Sequence, residues 1–160
     1  MRLSIAAVGR MKAGPERELV GRYLERAVGG GKPLALTGFD VIELTESRAS
    51  SAPSRKADEA KALRAVLPEG IVVALDERGK AIASEPLAHK IGRWRDDGRP
   101  AVSFVIGGAD GLDPQFVVQA DLVLSFSPLT WPHQMVRIML AEQLYRTTTI
   151  LSGHPYHRGD

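Results

Sequence analysis

The chain has 160 residues, of which 44% are hydrophobic and 25% are charged, as in an ordinary globular domain. It contains no cysteine, which excludes disulfides, cysteine nucleophiles and cysteine-ligated metal centres and fits a reducing cytosol. The 21 basic residues nearly balance the 19 acidic ones, so the charge permits a local basic face without requiring one. No apolar run approaches the ~20 residues of a membrane span, and the N-terminal run is too short for a secretory signal.

Apolar strands and helical segments alternate through the first half of the chain. Pro15 stands where a first helical residue is favoured, and Ser54 is a candidate helix cap. The predicted elements are a strand over 3–8, a helix over 16–28, a breaker at 29–33, a strand over 39–44, a mobile polar loop over 45–54 and a helix from Ser54 to about residue 67.

The same alternation continues in the second half. Asp113 followed by Pro114 indicates the start of a short helix. The predicted elements are a strand over 71–75, a helix over 84–97, a strand over 101–106, a short helix from 113, a strand over 122–124 and a helix over 132–145, followed by a tail without a clear element. Alternation of this kind predicts one α/β domain over residues 1–160, with a mainly parallel sheet flanked by helices.

Three loops follow the buried strands that end at Leu75, Ile106 and Leu124. Parallel sheets bind ligands outside the carboxyl ends of their strands, so residues 76–80, 107–111 and 125–131 are the first candidates for a site. All three loops are rich in glycine or small residues.

The middle loop, 107–111, does not fit a known nucleotide motif. The dinucleotide fingerprint requires a G-x-G-x-x-G spacing after an early strand, and no P-loop motif occurs, which argues against a nucleotide-binding oxidoreductase. Gly111 is interpreted as a turn residue with positive φ. For Gly107 and Gly108, a close approach of the backbone to a ligand is at least as well supported as a tight turn.

The last loop carries Phe126, Leu129 and Trp131, which a solvated loop does not need. Two interpretations stay open. The loop either packs over the core or forms an apolar slot for a flat ring.

Three histidines, at positions 133, 154 and 157, lie near the C-terminus without metal-ligand spacing, so we expect no metal. His157 stands between Tyr156 and Arg158, where an imidazole can move a proton near neutral pH and a guanidinium can pair with phosphate. The alternative is a solvated tail. Arg137 and Arg146 are either ordinary surface residues or part of a phosphate-binding strip.

Several motifs in this order and spacing carry a family resemblance. They are Leu75-Asp76 with Gly79-Lys80, Ile106-Gly107-Gly108 with Gly111-Leu112, and the segments 124–127, 130–137, 142–146 and 154–158. On these motifs the chain resembles, nearly end to end, the ribosomal RNA large subunit methyltransferase H family of the SPOUT superfamily.

The resemblance implies a fold and an assembly that the residue patterns did not indicate. The C-terminal part would thread into a trefoil knot that holds S-adenosylmethionine, and two chains would form a homodimer in which the partner completes each site. No membrane or metal is implied, and the location would be cytoplasmic.

The implied reaction is methylation at N3 of a pseudouridine in 23S ribosomal RNA, on the assembled ribosome. Two alternatives remain: the same fold and donor acting on another RNA such as transfer RNA, and a non-catalytic RNA-binding dimer.

The resemblance also assigns roles to residues. The cofactor-binding set is Leu75, Gly107, Phe126, Ser127, Pro128, Leu129, Thr130 and Trp131. Substrate engagement and possible proton removal are assigned to Tyr156, His157 and Arg158, and substrate orientation to Arg137, Glu142, Arg146 and His154.

Overall fold

A computed structural model describes residues 1–158 of the chain. Residues 159 and 160, which the single-domain prediction includes, lie outside the described part. Five parallel strands form one sheet in the order β2-β1-β4-β3-β5. The strands are β1 (Arg2–Val8), β2 (Thr37–Leu44), β3 (Ile71–Ala81), β4 (Ala101–Ile106) and β5 (Leu122–Ser125).

Five α-helices cover the two faces of the sheet. They are α1 (Pro15–Gly31), α2 (Ala52–Val66), α3 (Ser84–Asp96), α4 (Pro114–Gln119) and α5 (His133–Ser152), and a 3₁₀ turn at Lys32–Leu34 follows α1. The predicted α/β class, with a mainly parallel sheet flanked by helices, is confirmed. How the chain threads through itself stays a prediction.

The central strands are buried on both faces. All six residues of β4 and six of the seven in β1 are buried, as expected when helices cover both sides of a parallel sheet. Alternate residues point to opposite faces. Leu3, Ile5 and Ala7 therefore join the core beneath α1, α3 and α5, while Ala6 and Val8 join a smaller core beneath α2 and α4.

The final helix is longer than predicted: α5 ends at Ser152 and not near residue 145. Three consecutive threonines, 147–149, lower intrinsic helix propensity, but all three are buried. A Cβ placed on Gly30 of α1 would stand 2.6 Å from Thr148 Oγ1, so the two helices are in close contact there. Tertiary packing thus overrides propensity, and it also keeps Gly29–Gly31 inside α1, where the sequence predicted a breaker.

Two other boundaries differ from the prediction. Ser51, and not Ser54, caps α2, since its hydroxyl accepts the Ser54 N–H. The strand predicted to end at Leu75 continues to Ala81 after a shift in its register with β5. After residues 76–79 the chain comes back very close to β5. A Cβ on Gly79 would stand only 2.7 Å from the Val123 carbonyl oxygen.

Within residues 1–158, none of the helices has the length and apolar character that crossing a membrane requires.

Candidate functional site

A cavity of about 420 Å³ opens at the carboxyl ends of β4 and β5 and beside the point after Leu75 where β3 shifts its register. We call it the strand-exit cavity. Leu75, Ile106 and Leu124 line its floor, and the three predicted loops meet around it. Of the predicted cofactor-binding set, seven residues line the cavity and Pro128 does not: Leu75, Gly107, Phe126, Ser127, Leu129, Thr130 and Trp131.

In the loop after β5, some apolar side chains pack over the core and others stay open to the cavity, so each of the two predicted interpretations holds for part of the loop. Phe126 packs against the core, whereas Leu129 is 64% exposed and Trp131 is 38% exposed. The loop is held by its own hydrogen bonds, since Ser125 Oγ donates to the Ser127 carbonyl over 3.1 Å and Leu129 N–H donates to Ser127 Oγ over 3.0 Å. One part therefore completes the core and the other leaves an open apolar rim on the cavity.

The glycine loop is tight against itself. Gly111 has a φ of +84° and donates its N–H to the Gly108 carbonyl over 2.9 Å, so its interpretation as a turn residue is confirmed. A Cβ on Gly107 would stand 2.7 Å from the Gly111 carbonyl carbon and 2.8 Å from Leu112 N. The close approach at Gly107 is thus to the backbone of its own loop, as the tight-turn interpretation predicts, and the ligand contact stays a prediction.

Helix α2 holds the outer side of the glycine loop. Arg55 donates from Nε and Nη2 to the two carboxylate oxygens of Asp110, over 2.7 and 3.1 Å, and this hydrogen bonding lowers the pKa of Asp110. Glu59 is 7% exposed, accepts the Ser47 N–H over 3.0 Å and lies beside Gly108. The sequence did not predict these supports, because the polar segment before α2 resembled a mobile loop.

Among the side chains that line the cavity are Lys56, Asp76, Arg78 and His133. Asp76 and Arg78 belong to the predicted loop 76–80, whereas Lys56, on α2, was missed from the sequence. Asp76 accepts Arg78 Nε over 3.0 Å and the Arg78 backbone N–H over 2.9 Å. The side-chain hydrogen bond from Arg78 is the main cause that lowers the pKa of Asp76. This ion pair could have been predicted from the sequence, because its carboxylate and guanidinium stand two residues apart in a loop that follows a buried strand.

The predicted residues of the C-terminal part form a second group, which we call the tail cluster: Glu142, Arg146, Tyr156 and His157. Glu142 Oε1 accepts hydrogen bonds from Arg146 Nε and Nη2, over 3.0 and 2.6 Å, and from the Tyr156 hydroxyl over 3.0 Å. The Arg146 guanidinium lies 4.9 Å from the centre of the Tyr156 ring. One carboxylate therefore connects the last helix to the tail.

The tail is partly ordered against α5. Tyr156 and His157 are half-buried, while His154 and Arg158 are exposed, so a fully solvated tail is not what the structure shows. Burial, together with the hydrogen bond to Glu142, raises the pKa of Tyr156 to about 12, which keeps the phenol protonated. His154 Nδ1 accepts the Tyr156 N–H over 3.1 Å, and Arg146 Nη1 lies 3.2 Å from His157 Nδ1.

Arg137 does not belong to either region. It is 4% exposed, its Nη1 lies 3.3 Å from Glu43 Oε2, and its Nη2 donates to the Gly9 carbonyl over 3.0 Å. The interpretation of Arg137 as a surface residue is therefore wrong. Because its guanidinium is bound to internal partners, its predicted substrate role has no support here.

The two regions are separate in one chain. A second cavity of about 580 Å³ shares Phe126 with the strand-exit cavity and is bordered by Glu142 and Gln143. Among the residues described, none from 153–158 lines the strand-exit cavity. The described part of the chain also holds no group of three or more histidine, aspartate or glutamate side chains placed to bind a metal ion.

Comparisons with known proteins agree on one family. A family model described as "Predicted SPOUT methyltransferase" matches residues 1–157. Ribosomal RNA large subunit methyltransferase H of Rhodopseudomonas palustris is 55% identical over 159 residues, with 99% of each chain covered. The protein of the same name from Allorhizobium ampelinum is 57% identical over 159 residues, with the same coverage.

A solved structure supports the fold alone. A probable methyltransferase from Bordetella pertussis has a TM-score of 0.52 at 13% identity, covering 91% of this chain and 95% of that one.

Proposed function

Because the chain belongs to the ribosomal RNA large subunit methyltransferase H family of SPOUT methyltransferases, we propose that it methylates N3 of a pseudouridine in 23S ribosomal RNA with S-adenosylmethionine as the donor. The proposed substrate is the assembled ribosome in the cytoplasm. The observation that carries the proposal is the strand-exit cavity, where the predicted segments after Leu75, Ile106 and Leu124 meet.

The residues around this cavity suit the proposed cofactor. Its volume of about 420 Å³ lies within the ~300–1,000 Å³ usual for small-molecule sites. Phe126, Leu129 and Trp131 offer apolar surface for an adenine ring, and the loop backbone offers donors and acceptors for the ring edge. We assign cofactor binding to Leu75, Gly107 and residues 126–131. When bound, the cofactor would supply a methyl group for transfer from its sulfonium sulfur to N3. The carbon–sulfur bond would break with its electron pair left on sulfur as the carbon–nitrogen bond forms.

The tail suits the substrate side of the reaction. The target base must be oriented, and its N3 proton must leave. Arg158 is exposed, so its guanidinium is accessible to an RNA phosphate or a base oxygen. Tyr156 and His157 stand beside it, held by Glu142 and Arg146.

A homodimer would bring the strand-exit cavity and the tail cluster together, although they lie apart within one chain. Since no described tail residue lines the cavity of its own chain, we propose that the tail of one protomer completes the strand-exit cavity of its partner. The open apolar rim at Leu129 and Trp131 faces outward, as a surface that receives a partner would.

The activity is tested by methylation with labelled S-adenosylmethionine on assembled ribosomes, free large subunits, naked ribosomal RNA and transfer RNA, followed by mapping of the labelled nucleotide. We expect label at N3 of one pseudouridine in 23S RNA, strongest on assembled ribosomes. Label on transfer RNA alone would support a different substrate. RNA binding without label on any RNA would support a non-catalytic dimer.

The shared site is tested by mixing two variants that should each lose most of their methyl transfer. Trp131→Ala removes apolar surface from the cavity, and His157→Ala removes the tail imidazole. If the tail acts on the partner's cavity, a mixed dimer has one intact site, and mixing after partial denaturation and refolding restores methyl transfer. If each site lies within one chain, the mixture stays inactive.

A further inference from the structure

We propose that Arg146, held by Glu142, fixes His157 in the tautomer with its proton on Nε2, so that the imidazole donates a hydrogen bond to the target base and does not accept its proton. The inference rests on the proposed function for the identity of that base. Its geometric part stands on the tail cluster alone.

The tautomer follows from the partner of Nδ1. Arg146 Nη1 lies 3.2 Å from His157 Nδ1. A guanidinium has N–H donors and no acceptor, and it stays protonated in proteins. Nδ1 must therefore present its lone pair to Arg146. Because a neutral imidazole carries one ring proton, that proton is on Nε2.

The guanidinium is not free to turn away from the histidine. Its Nε and Nη2 both donate to Glu142 Oε1, and its Cζ lies over the Tyr156 ring. The other oxygen, Oε2, accepts from Gln143 Nε2 over 2.8 Å, and Gln143 Oε1 accepts from Ser84 Oγ over 2.8 Å. A chain of hydrogen bonds thus leads from the first residue of α3 to the carboxylate that sets the Arg146 position.

Tyr156 fixes the same segment from the other side. Its hydroxyl donates to Glu142, and its ring packs on Tyr145 with centres 4.7 Å apart. The residue directly before His157 is therefore anchored to α5 by one polar and one aromatic contact. Side chains of α5 therefore hold the imidazole in position, although His157 lies beyond the end of the helix.

The chemistry of the base suits a donor. N3 of a uracil-type ring lies between two carbonyl groups. When the N3–H bond breaks, its electron pair stays on N3 and the negative charge spreads onto the carbonyl oxygens, while the proton passes to a hydroxide ion of the solvent and forms water. A donor aimed at such an oxygen stabilises the charge as it develops. His157 Nε2–H is suited to this role, and Arg158 stands next to it.

Substituting His157 with glutamine or asparagine distinguishes a hydrogen-bond donor from a proton acceptor. His157→Gln places an amide N–H near the position of Nε2 and cannot accept a proton at neutral pH, whereas His157→Asn places its amide near Nδ1 and lacks the outward donor. We expect the Gln variant to retain the single-turnover rate within about tenfold, and the Asn and Ala variants to lose about 100-fold, the loss typical of one removed oxyanion donor. His89→Gln, at an exposed position on α3, is the matched control. Equal losses in the Gln, Asn and Ala variants would overturn the donor role.

The tautomer is read independently of any activity, by long-range ¹H–¹⁵N correlation spectra of the full chain, with the His157 signals assigned from their loss in His157→Ala. We expect a protonated Nε2 and an unprotonated Nδ1 in the wild type, and a mixture of both tautomers in Arg146→Leu. A proton on Nδ1 in the wild type, or an unchanged tautomer in Arg146→Leu, would overturn the positioning. If the wild type shows the expected tautomer but methylates no RNA, the proposed function fails while the positioning stands.

Discussion

The strand-exit cavity and the tail cluster are built in different ways. The cavity is formed by the segments that follow residues 75, 106 and 124 of three parallel strands, and its glycine loop is so tight that a Cβ added to Gly107 would stand 2.8 Å from Leu112 N. The tail cluster is formed by side chains around a single carboxylate, that of Glu142. The first should therefore fail when atoms are added, and the second when a charge or a hydrogen bond is removed.

Helix α5 connects these two designs. It begins at His133, which lines the cavity, and it carries Glu142 at its middle and Arg146 one turn further along. A change confined to one end should therefore leave the other end intact, provided that the helix itself keeps its packing.

The largest effect is expected from Gly107→Ala. The added methyl group would meet loop backbone, which cannot move aside as a flexible side chain can. We expect the glycine loop to shift and the affinity for S-adenosylmethionine to fall by about 100-fold, or ~2.8 kcal/mol at 1.4 kcal/mol per tenfold. Isothermal titration calorimetry measures this directly.

The matched control for that variant is Gly29→Ala in α1, where an added Cβ meets no atom within 4 Å. It should bind the cofactor as the wild type does. The tautomer of His157 should be unchanged in Gly107→Ala, since the tail cluster does not touch the glycine loop. Normal cofactor affinity in Gly107→Ala would show that the loop is not a wall of the site.

A smaller effect is expected from Glu142→Gln. The neutral amide weakens the charge-assisted hydrogen bonds with Arg146, so the guanidinium no longer holds His157. We expect the rate of methyl transfer to fall by up to about 100-fold, the cost of misplacing a group by about 1 Å, while the affinity for the cofactor stays close to that of the wild type. Single-turnover rates and calorimetry on the same preparation test both statements, and a parallel loss of cofactor affinity would contradict the separation of the two regions.

The titration of Tyr156 gives a subtler test. Its pKa in the folded chain is raised from 10.0 to about 12, so the stabilisation that it gives to the tail is fully present below pH 10 and is lost as the pH rises through about 12. We expect phenolate absorbance to show one of the three tyrosines ionising about two pH units above an ordinary tyrosine. Tyr156→Phe should remove that late transition, and Glu142→Gln should move it to lower pH.

The cavity was largely predictable from the sequence, whereas the tail was not. Buried apolar strands such as 71–75 and 101–106 have a strong pattern, and the rule that ligands bind at strand ends then locates the loops. The tail cluster depends on Arg146 and Tyr156 meeting across a helix end that propensity placed seven residues too early. The residue types drew attention to Tyr156, His157 and Arg146 one by one, but no local pattern indicated that they meet.

Arg137 and Gly107 show which features a local pattern does not contain. An arginine in a polar helix start is usually exposed, and nothing local indicates that Glu43, 94 positions earlier, will receive it in the core. A glycine after a strand likewise indicates crowding without saying whether a ligand or the loop itself causes it. Both answers are set by contacts between segments distant in sequence, which local patterns do not contain.

The smallest effect is expected where α5 packs on α1. Alanine in a helix is normally favoured over glycine by about 0.5–1 kcal/mol, and Gly29→Ala should show that gain in chemical denaturation. Gly30→Ala should instead lower the free energy of unfolding by about 1–3 kcal/mol, the usual cost of overpacking, because its Cβ would stand 2.6 Å from Thr148 Oγ1. Adding Thr148→Ala should restore most of the loss, as expected for residues in direct contact. Additive losses in the double variant would mean that a different contact keeps the last two turns of α5, and with them the tail, in place.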